Sequence, residues 1–396
     1  MMKKVLSTFK SLKWKHYSVY LIIAVAVAIL GYLSLSLDGK ASRAFDTYRS
    51  LLGDMSIWII LAVSLSIVVG FLGELSLGHA GFMSVGAYLG AVITNVLIAN
   101  LKIENTFVII VVSVFVGGVS AAACGFIVGL PALRLKGDYL AIVTLAFGEI
   151  VRVIFKNANP NIFGGAGGLQ LKNYFTIDRK YFFIIGFLFV ILTIAVIQNT
   201  IRSKHGRAIT AIRDNEIAAK ATGINVTKYK LMGFVISAAF AGIAGVLMTL
   251  KDGTVLYSKF DYNYSIEILV IVVLGGMGIN GSVIAAVFIS LLNWKLTDMN
   301  GSLSDYKNLI YALILILLII YRNAPALKGF REKYNFRTLW AMVFKPKHNP
   351  AKDKGDAVRW DVVPTKIEMN EVLSTDVVID STGDNSADIG ERGGNK

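Results

Sequence analysis

Residues 55–72 read Met55-Ser56-Ile57-Trp58-Ile59-Ile60-Leu61-Ala62-Val63-Ser64-Leu65-Ser66-Ile67-Val68-Val69-Gly70-Phe71-Leu72, without a single charged side chain. As a helix rising 1.5 Å per residue, such a run covers roughly 27 Å, close to the ~30 Å of bilayer hydrocarbon. Comparable apolar runs occupy 19–37, 81–99, 107–130, 138–155, 181–199 and 231–250. The region 266–294 is too long for one ordinary span and is interrupted at Gly275-Gly276-Met277-Gly278-Ile279-Asn280-Gly281, so it reads as two short spans. With a last run at 309–321, the pattern predicts an all-α, polytopic transmembrane helix bundle of about ten spans with glycine-broken segments.

Composition agrees with lipid as the main solvent. Of the 396 residues 55% are hydrophobic and 17% charged, against about 25% charged in soluble domains. The formal net charge of +14 does not mark a nucleic-acid partner, because Lys and Arg cluster in the loops between apolar runs and form no basic face interleaved with aromatics. The one cysteine, Cys124, lies inside an apolar run and reads as a small buried hydrophobe.

Orientation follows from the loops. Lys3, Lys4, Lys10, Lys13 and Lys15 precede the first apolar run, which is longer than a signal-peptide core and lacks a small-x-small site after Leu37, so it reads as an uncleaved span. With ten spans and a cytoplasmic N-terminus at 1–18, the inner segments 1–18, 131–137, 200–230 and 322–347 hold 21 Lys or Arg, against 12 on the outer side. That asymmetry favours an even count with both termini cytoplasmic. The membrane domain then covers 19–322, including a cytoplasmic loop at 200–230. The polar remainder, 323–396, reads as a cytoplasmic tail, Asp-bearing and largely disordered beyond about 345, with 360–363 as a small docking element.

Several motifs bear on chemistry. Gly276-Met277-Gly278-Ile279-Asn280-Gly281 matches the dinucleotide fingerprint, and Asp298 falls about 20 residues later, where a ribose-binding acid belongs. Without a surrounding βαβ unit, Gly275, Gly276 and Gly278 read instead as a helix break lining a cavity or turning between short helices. No Gly-x-x-x-x-Gly-Lys-Ser/Thr occurs, so the chain is not its own P-loop ATPase. No metal set and no bound cofactor is expected.

A second break, around Gly78 and Gly81, sets Glu74, Ser76 and His79 between two apolar runs. Ionisable groups at membrane depth usually face a bundle interior or a water path, which makes these residues candidates for a translocation path; a turn at the interface is the plainer alternative. Glu149 and Arg152 lie three apart on one helical face, either as a structural pair or on the same path, and Glu267 opens the eighth span. Their membrane position makes one of these acids a candidate partner for a substrate ammonium. Gly86/Gly90, Gly125/Gly129 and Ala241/Gly245 permit close helix approach and speak for packing.

Within the cytoplasmic loop, Arg213-Asp214-Asn215-Glu216-Ile217-Ala218-Ala219-Lys220-Ala221-Thr222-Gly223 reads as a short helix capped by Asp214 and ended by Gly223. Small residues on a short helix between two spans suit insertion into another protein's groove; an amphipathic linker is the alternative. Glu216, Ala218, Ala219 and Gly223 resemble the Glu-Ala-Ala…Gly coupling motif of ABC importer permeases, with Ile217 lengthening the spacing.

Further stretches are similar to the LivM-type permeases of branched-chain amino acid importers. They are Leu75–Phe82, Leu133–Leu145, Phe147–Arg152 and Ile271–Gly278, and the resemblance extends over roughly 55–322. Where that family commonly carries Gly-Gly-x-Asn-Gly after the fifth span, this chain has Gly164-Gly165-Ala166-Gly167-Gly168. The resemblance implies an inner-membrane permease working by alternating access. It also implies a second homologous permease subunit, two cytoplasmic ABC ATPases that use ATP, and an extracytoplasmic substrate-binding protein. The 207–223 element would take the ATPase motion. A sugar, nucleoside, amide or urea permease and a proton-coupled secondary transporter are the alternatives, and likeness of fold does not fix the solute.

Overall fold

The computed structural model describes residues 40–298 except 103–104, 136 and 173–174, together with Leu313 and Ile316. The predicted spans at 19–37 and 309–321, both termini and the tail, with its proposed element at 360–363, lie outside the described residues or almost wholly so.

The described architecture is helical. Helix α1 (Lys40–Ser66) continues as a π-helical turn, Ile67–Leu72. Then follow α2 (His79–Ala99), α3 (Thr106–Ala132), α4 (Asp138–Asn157) and the one-turn α5 (Pro160–Phe163). After α6 (Arg179–Arg202) come α7 (Lys204–Asp214), α8 (Glu216–Ala221), α9 (Val226–Asp252), α10 (Tyr262–Gly275) and α11 (Ile279–Asp298). One antiparallel pair, β1 (Leu169–Gln170) with β2 (Thr254–Val255), joins the α5–α6 connection to the α9–α10 connection.

Six of these helices are long and apolar enough to cross a membrane: Asp46–Leu72, His79–Ala99, Thr106–Ala132, Tyr181–Arg202, Val226–Asp252 and Ile279–Leu296. One expectation needs correcting. The glycine turn at Gly276–Gly278 does break 266–294, but the second piece is a full-length helix, not a short span. The predicted span at 138–155 is helical, yet α4 carries Asp138, Glu149, Arg152 and Lys156 and is absent from the apolar set.

Helix α9 sits at the centre, packed on α2 and α3, while α1 packs on α6 and α11. Small residues allow this closeness. A methyl group on Gly86 of α2 would lie 2.3 Å from the Gly242 Cα of α9, and one on Gly245 would lie 2.2 Å from the Met83 carbonyl. Between closely approaching helices, dispersion and interhelical hydrogen bonds replace the hydrophobic effect as the cohesive force. Phe82, Tyr88, Phe234, Leu61 and Leu247 fill the interior around this contact.

Candidate functional site

The π-helical turn Ile67–Leu72 ends at Gly73, whose φ of +76° is the left-handed cap that turns the chain out of the helix. The Glu74 N–H closes the turn on the Val68 carbonyl at 3.0 Å. From here to Gly78 the backbone is neither helix nor strand. It is nonetheless packed into the bundle, with Ser76 and His79 buried. Inside a bilayer-depth bundle such a stretch is tolerated only where other parts of the protein take up its polar groups. The Leu77 N–H donates to the Thr144 hydroxyl on α4, and the Ala80 N–H to the Ser265 hydroxyl on α10, both at 3.0 Å.

His79, the first residue of α2, meets Ser64 of α1 through Nε2 and Oγ at 2.9 Å. The Ser64 hydroxyl also reaches the Leu61 carbonyl as a donor, so it joins the imidazole to the backbone of α1. The Ser237 hydroxyl of α9 then donates to the Ser64 carbonyl at 2.8 Å. Ser64 precedes Leu72 by eight residues, about 12 Å along the helix. The segment after Gly73 therefore climbs back beside α1, and α2 starts inside the bundle. Gly81, expected as a helix break, lies within α2 instead. A methyl there would come 2.8 Å from the Gly148 Cα, so its smallness seats α2 on α4. Gly78 does precede the helix as its N-cap, and Gly275, Gly276 and Gly278 end α10 and form the following turn, with Gly276 at φ +80°.

The loop between α6 and α9 comes up to this break. Helix α8 is capped by Asn215, whose side chain accepts from the Ala218 N–H at 3.0 Å. The expected cap, Asp214, ends α7 instead; adjacent Asp and Asn are both good caps, and the chain turns one residue later than read. Gly223 ends α8 at φ +82°, with the Ile224 N–H returning to the Ala219 carbonyl at 3.0 Å. Ala219 is buried against Ile212 and Val226, whereas Ala218 faces out and Ile217 is 79% exposed. Arg213 donates to the Gly70 carbonyl at 3.0 Å and to Asp214 at 2.9 Å. Gly70 also bears the α10–α11 turn, for a methyl there would fall 1.8 Å from the Met277 carbonyl.

Lys230, 4% exposed in the second turn of α9, completes the junction. Its ammonium donates to Glu74 and, at 3.2 Å, to Glu216. The Glu216 carboxylate also accepts from Lys220 at 2.7 Å. The Lys220 hydrogen bond holds the Glu216 carboxyl below its ordinary range; partial burial opposes this and Lys230 reinforces it. Glu74 is thus joined to the loop rather than grouped with Glu149.

Glu149 and Arg152 pair at 2.7 Å on α4, each about three-tenths exposed. A second Glu149 oxygen accepts from the Tyr262 N–H at 3.1 Å, so Glu149 caps the start of α10 together with Asp261, which accepts from the Tyr264 N–H at 3.0 Å. Glu267 is half-buried on the same helix. The predicted residues therefore fall into three groups: Glu74 with the loop residues, Ser76 and His79 buried in the bundle, and Glu149 and Arg152 at the start of α10, the helix that also carries Glu267. Among the described residues no cluster of three His, Cys, Asp or Glu is arranged to hold a metal ion.

The family model for the permease component of branched-chain amino acid transport systems matches residues 47–319. The chain belongs to this family. The high-affinity branched-chain amino acid transport system permease protein LivM of Salmonella typhimurium is 36% identical over 71% of this chain and 70% of its own length. The protein of the same name from Escherichia coli K12 is 36% identical over the same shares. The ribose import permease RbsC of Escherichia coli is more distant, at 25% identity over 69% of this chain and 84% of its own. No solved structure matches.

For this branched-chain permease, reading the sequence alone missed Lys230 and the hydroxyls of Ser64, Thr144, Ser237 and Ser265. Lys230 counted there as one more loop cation. A single lysine at the head of an apolar run signals that it needs a partner, but nothing local points to acids at positions 74 and 216. Hydroxyls in apolar runs are common and usually bond to their own helix, as the Thr144 hydroxyl also does toward Ala141.

Proposed function

We propose that the chain is the permease subunit of an ATP-driven importer carrying branched-chain or other hydrophobic amino acids across the inner membrane. It works beside a second homologous permease, two cytoplasmic ATPases and an extracytoplasmic substrate-binding protein. The cargo reading is supported by relatives at 36% identity bearing that name, against 25% for the sugar permease. The chain supplies the path and the mechanical input; ATP hydrolysis belongs to its partners.

One observation carries the coupling role. Helix α8 stands at the end of the bundle with Ile217 exposed, while its inner face is held by Ala219, Glu216 and the Arg213 contact to Gly70. An apolar side chain on a rigid, capped six-residue helix is suited to a groove in a partner. Closure of the ATPases on α8 then biases the membrane helices between outward- and inward-open states, which requires that the partner bind the two states with different affinity. The α4 face carrying Glu149 and Arg152 lines the path or meets the second permease, since a partly exposed ion pair on a membrane helix is poorly suited to hydrocarbon.

The test uses the whole complex in vesicles, with Gly223→Pro and Glu216→Lys. Both are expected to leave the complex assembled and to lower ATP-driven leucine uptake. Normal uptake in both variants would refute the coupling assignment.

A further inference from the structure

We infer that Lys230 is a positioning residue for transport, tying the coupling helix to the re-entrant backbone so that motion of α8 is delivered into the bundle. The inference rests on the proposed role of α8 as the element that meets the ATPases.

Three facts lead to it. First, the loop grips the break on both sides of Gly73. Arg213 holds the Gly70 carbonyl before the left-handed turn, and Lys230, itself bridged to Glu216, holds the Glu74 carboxylate after it. Second, the lysine is buried, at 4% exposure, so its ammonium has little water to replace a lost partner. An exposed ion pair parts easily, whereas a buried charge stripped of a partner is strongly unfavourable, so Glu74 and Glu216 are constrained to move together. Third, the lever beyond Glu74 is short. Between it and His79 the backbone is non-helical, and the far end is fastened to three different helices through Ser64, Thr144 and Ser265. A displacement of Glu74 therefore loads α1, α4 and α10 at once. Packed elements of this kind switch between discrete arrangements rather than yielding gradually.

A purely structural pair would only hold the loop down, and the two roles separate experimentally. Removing Lys230 alone leaves Glu74 without its ammonium partner and Glu216 with Lys220 only, so the informative variant is the neutral triple, Glu74→Gln with Lys230→Met and Glu216→Gln, which keeps shape and leaves no buried charge orphaned. Lys230→Arg is the conservative partner. Complete complexes in vesicles are assayed for leucine uptake and ATP hydrolysis in the same preparation, with assembly checked by size-exclusion chromatography. The triple variant is expected to assemble and hydrolyse ATP, while uptake per ATP falls about tenfold. Lys230→Arg should stay within about threefold of the wild type. Unchanged uptake per ATP in the triple variant overturns the inference. So does a proportional loss of assembly, hydrolysis and uptake in both variants, because that is what a merely structural pair gives. A wild-type complex that shows no ATP-dependent leucine uptake refutes the functional reading itself, and this inference with it.

Discussion

His79 and Ser64 meet at 2.9 Å inside the bundle, joining the first turn of α2 to the last turn of α1 across the re-entrant stretch. The contact fixes where α2 begins. Ser64→Ala removes the serine partner of the buried imidazole, which costs about 1–3 kcal/mol. The purified permease is expected to melt lower in detergent. Ser64→Ala combined with His79→Leu should be less harmful than the two effects summed, because the pair shares one interaction. Strict additivity would mean that the contact carries no energy.

Gly86 and Gly167 offer a matched comparison. A methyl on Gly86 would lie 2.3 Å from the Gly242 Cα, while one on Gly167 meets nothing within 4 Å. Gly86→Ala should destabilise by about 1–3 kcal/mol through forced separation of α2 and α9. Gly167→Ala should be close to neutral. Thermal unfolding of both in one detergent checks the contrast, and equal melting temperatures would refute the close packing.

Glu149 accepts from the Tyr262 N–H and pairs with Arg152. Glu149→Gln keeps an acceptor for the former and removes the charge from the latter. If this acid or Glu267 meets the substrate ammonium, Glu149→Gln or Glu267→Gln raises the KM for leucine by about tenfold at similar maximal rate, the signature of lost uniform binding. Kinetics of uptake into vesicles give the answer, and unchanged KM in both variants removes these acids from the path.

Glu216 gives the loop a defined pH response. Its folded-state carboxyl is depressed below the ordinary value of 4.5, so its contribution is fully present above that value and is lost as pH falls through the depressed one. Being partly exposed, it is also screened by salt and modest in size. Hydrogen exchange of the α8 amides, corrected for intrinsic rates, should be flat from neutral pH down to the ordinary carboxyl range and rise only below it. Glu216→Gln should abolish that rise. Loosening of α8 between neutral pH and the ordinary range would contradict the assignment.

Much of the fold was legible because apolar length alone determines a membrane span. The runs around 55–72 and 231–250 needed no tertiary information, and the glycine turn at 276–278 announced itself by composition. Gly223 was readable as a helix end because a left-handed terminus favours a residue without Cβ. The depth of His79 was not readable. A short polar stretch between two apolar runs has the same sequence whether it turns at the surface or climbs back inside. The difference lies in Ser64, Thr144 and Ser265, which are distant in sequence. The same holds for Lys230, whose partners are 156 and 14 residues away.

Helix α10 has fourteen residues, about 21 Å of rise, and α4 is long enough but carries Glu149, Arg152 and Lys156. Neither is equipped to enter lipid alone, since one is short of the ~30 Å core and central charges disfavour insertion by about 2.5–3.5 kcal/mol each. During synthesis these two segments depend on helices already in place: α2 stands ready when α4 emerges, and α1 and α2 when α10 does. Biogenesis of this permease is accordingly ordered along the chain, and a truncation that removes an early helix strands a later one at the membrane surface.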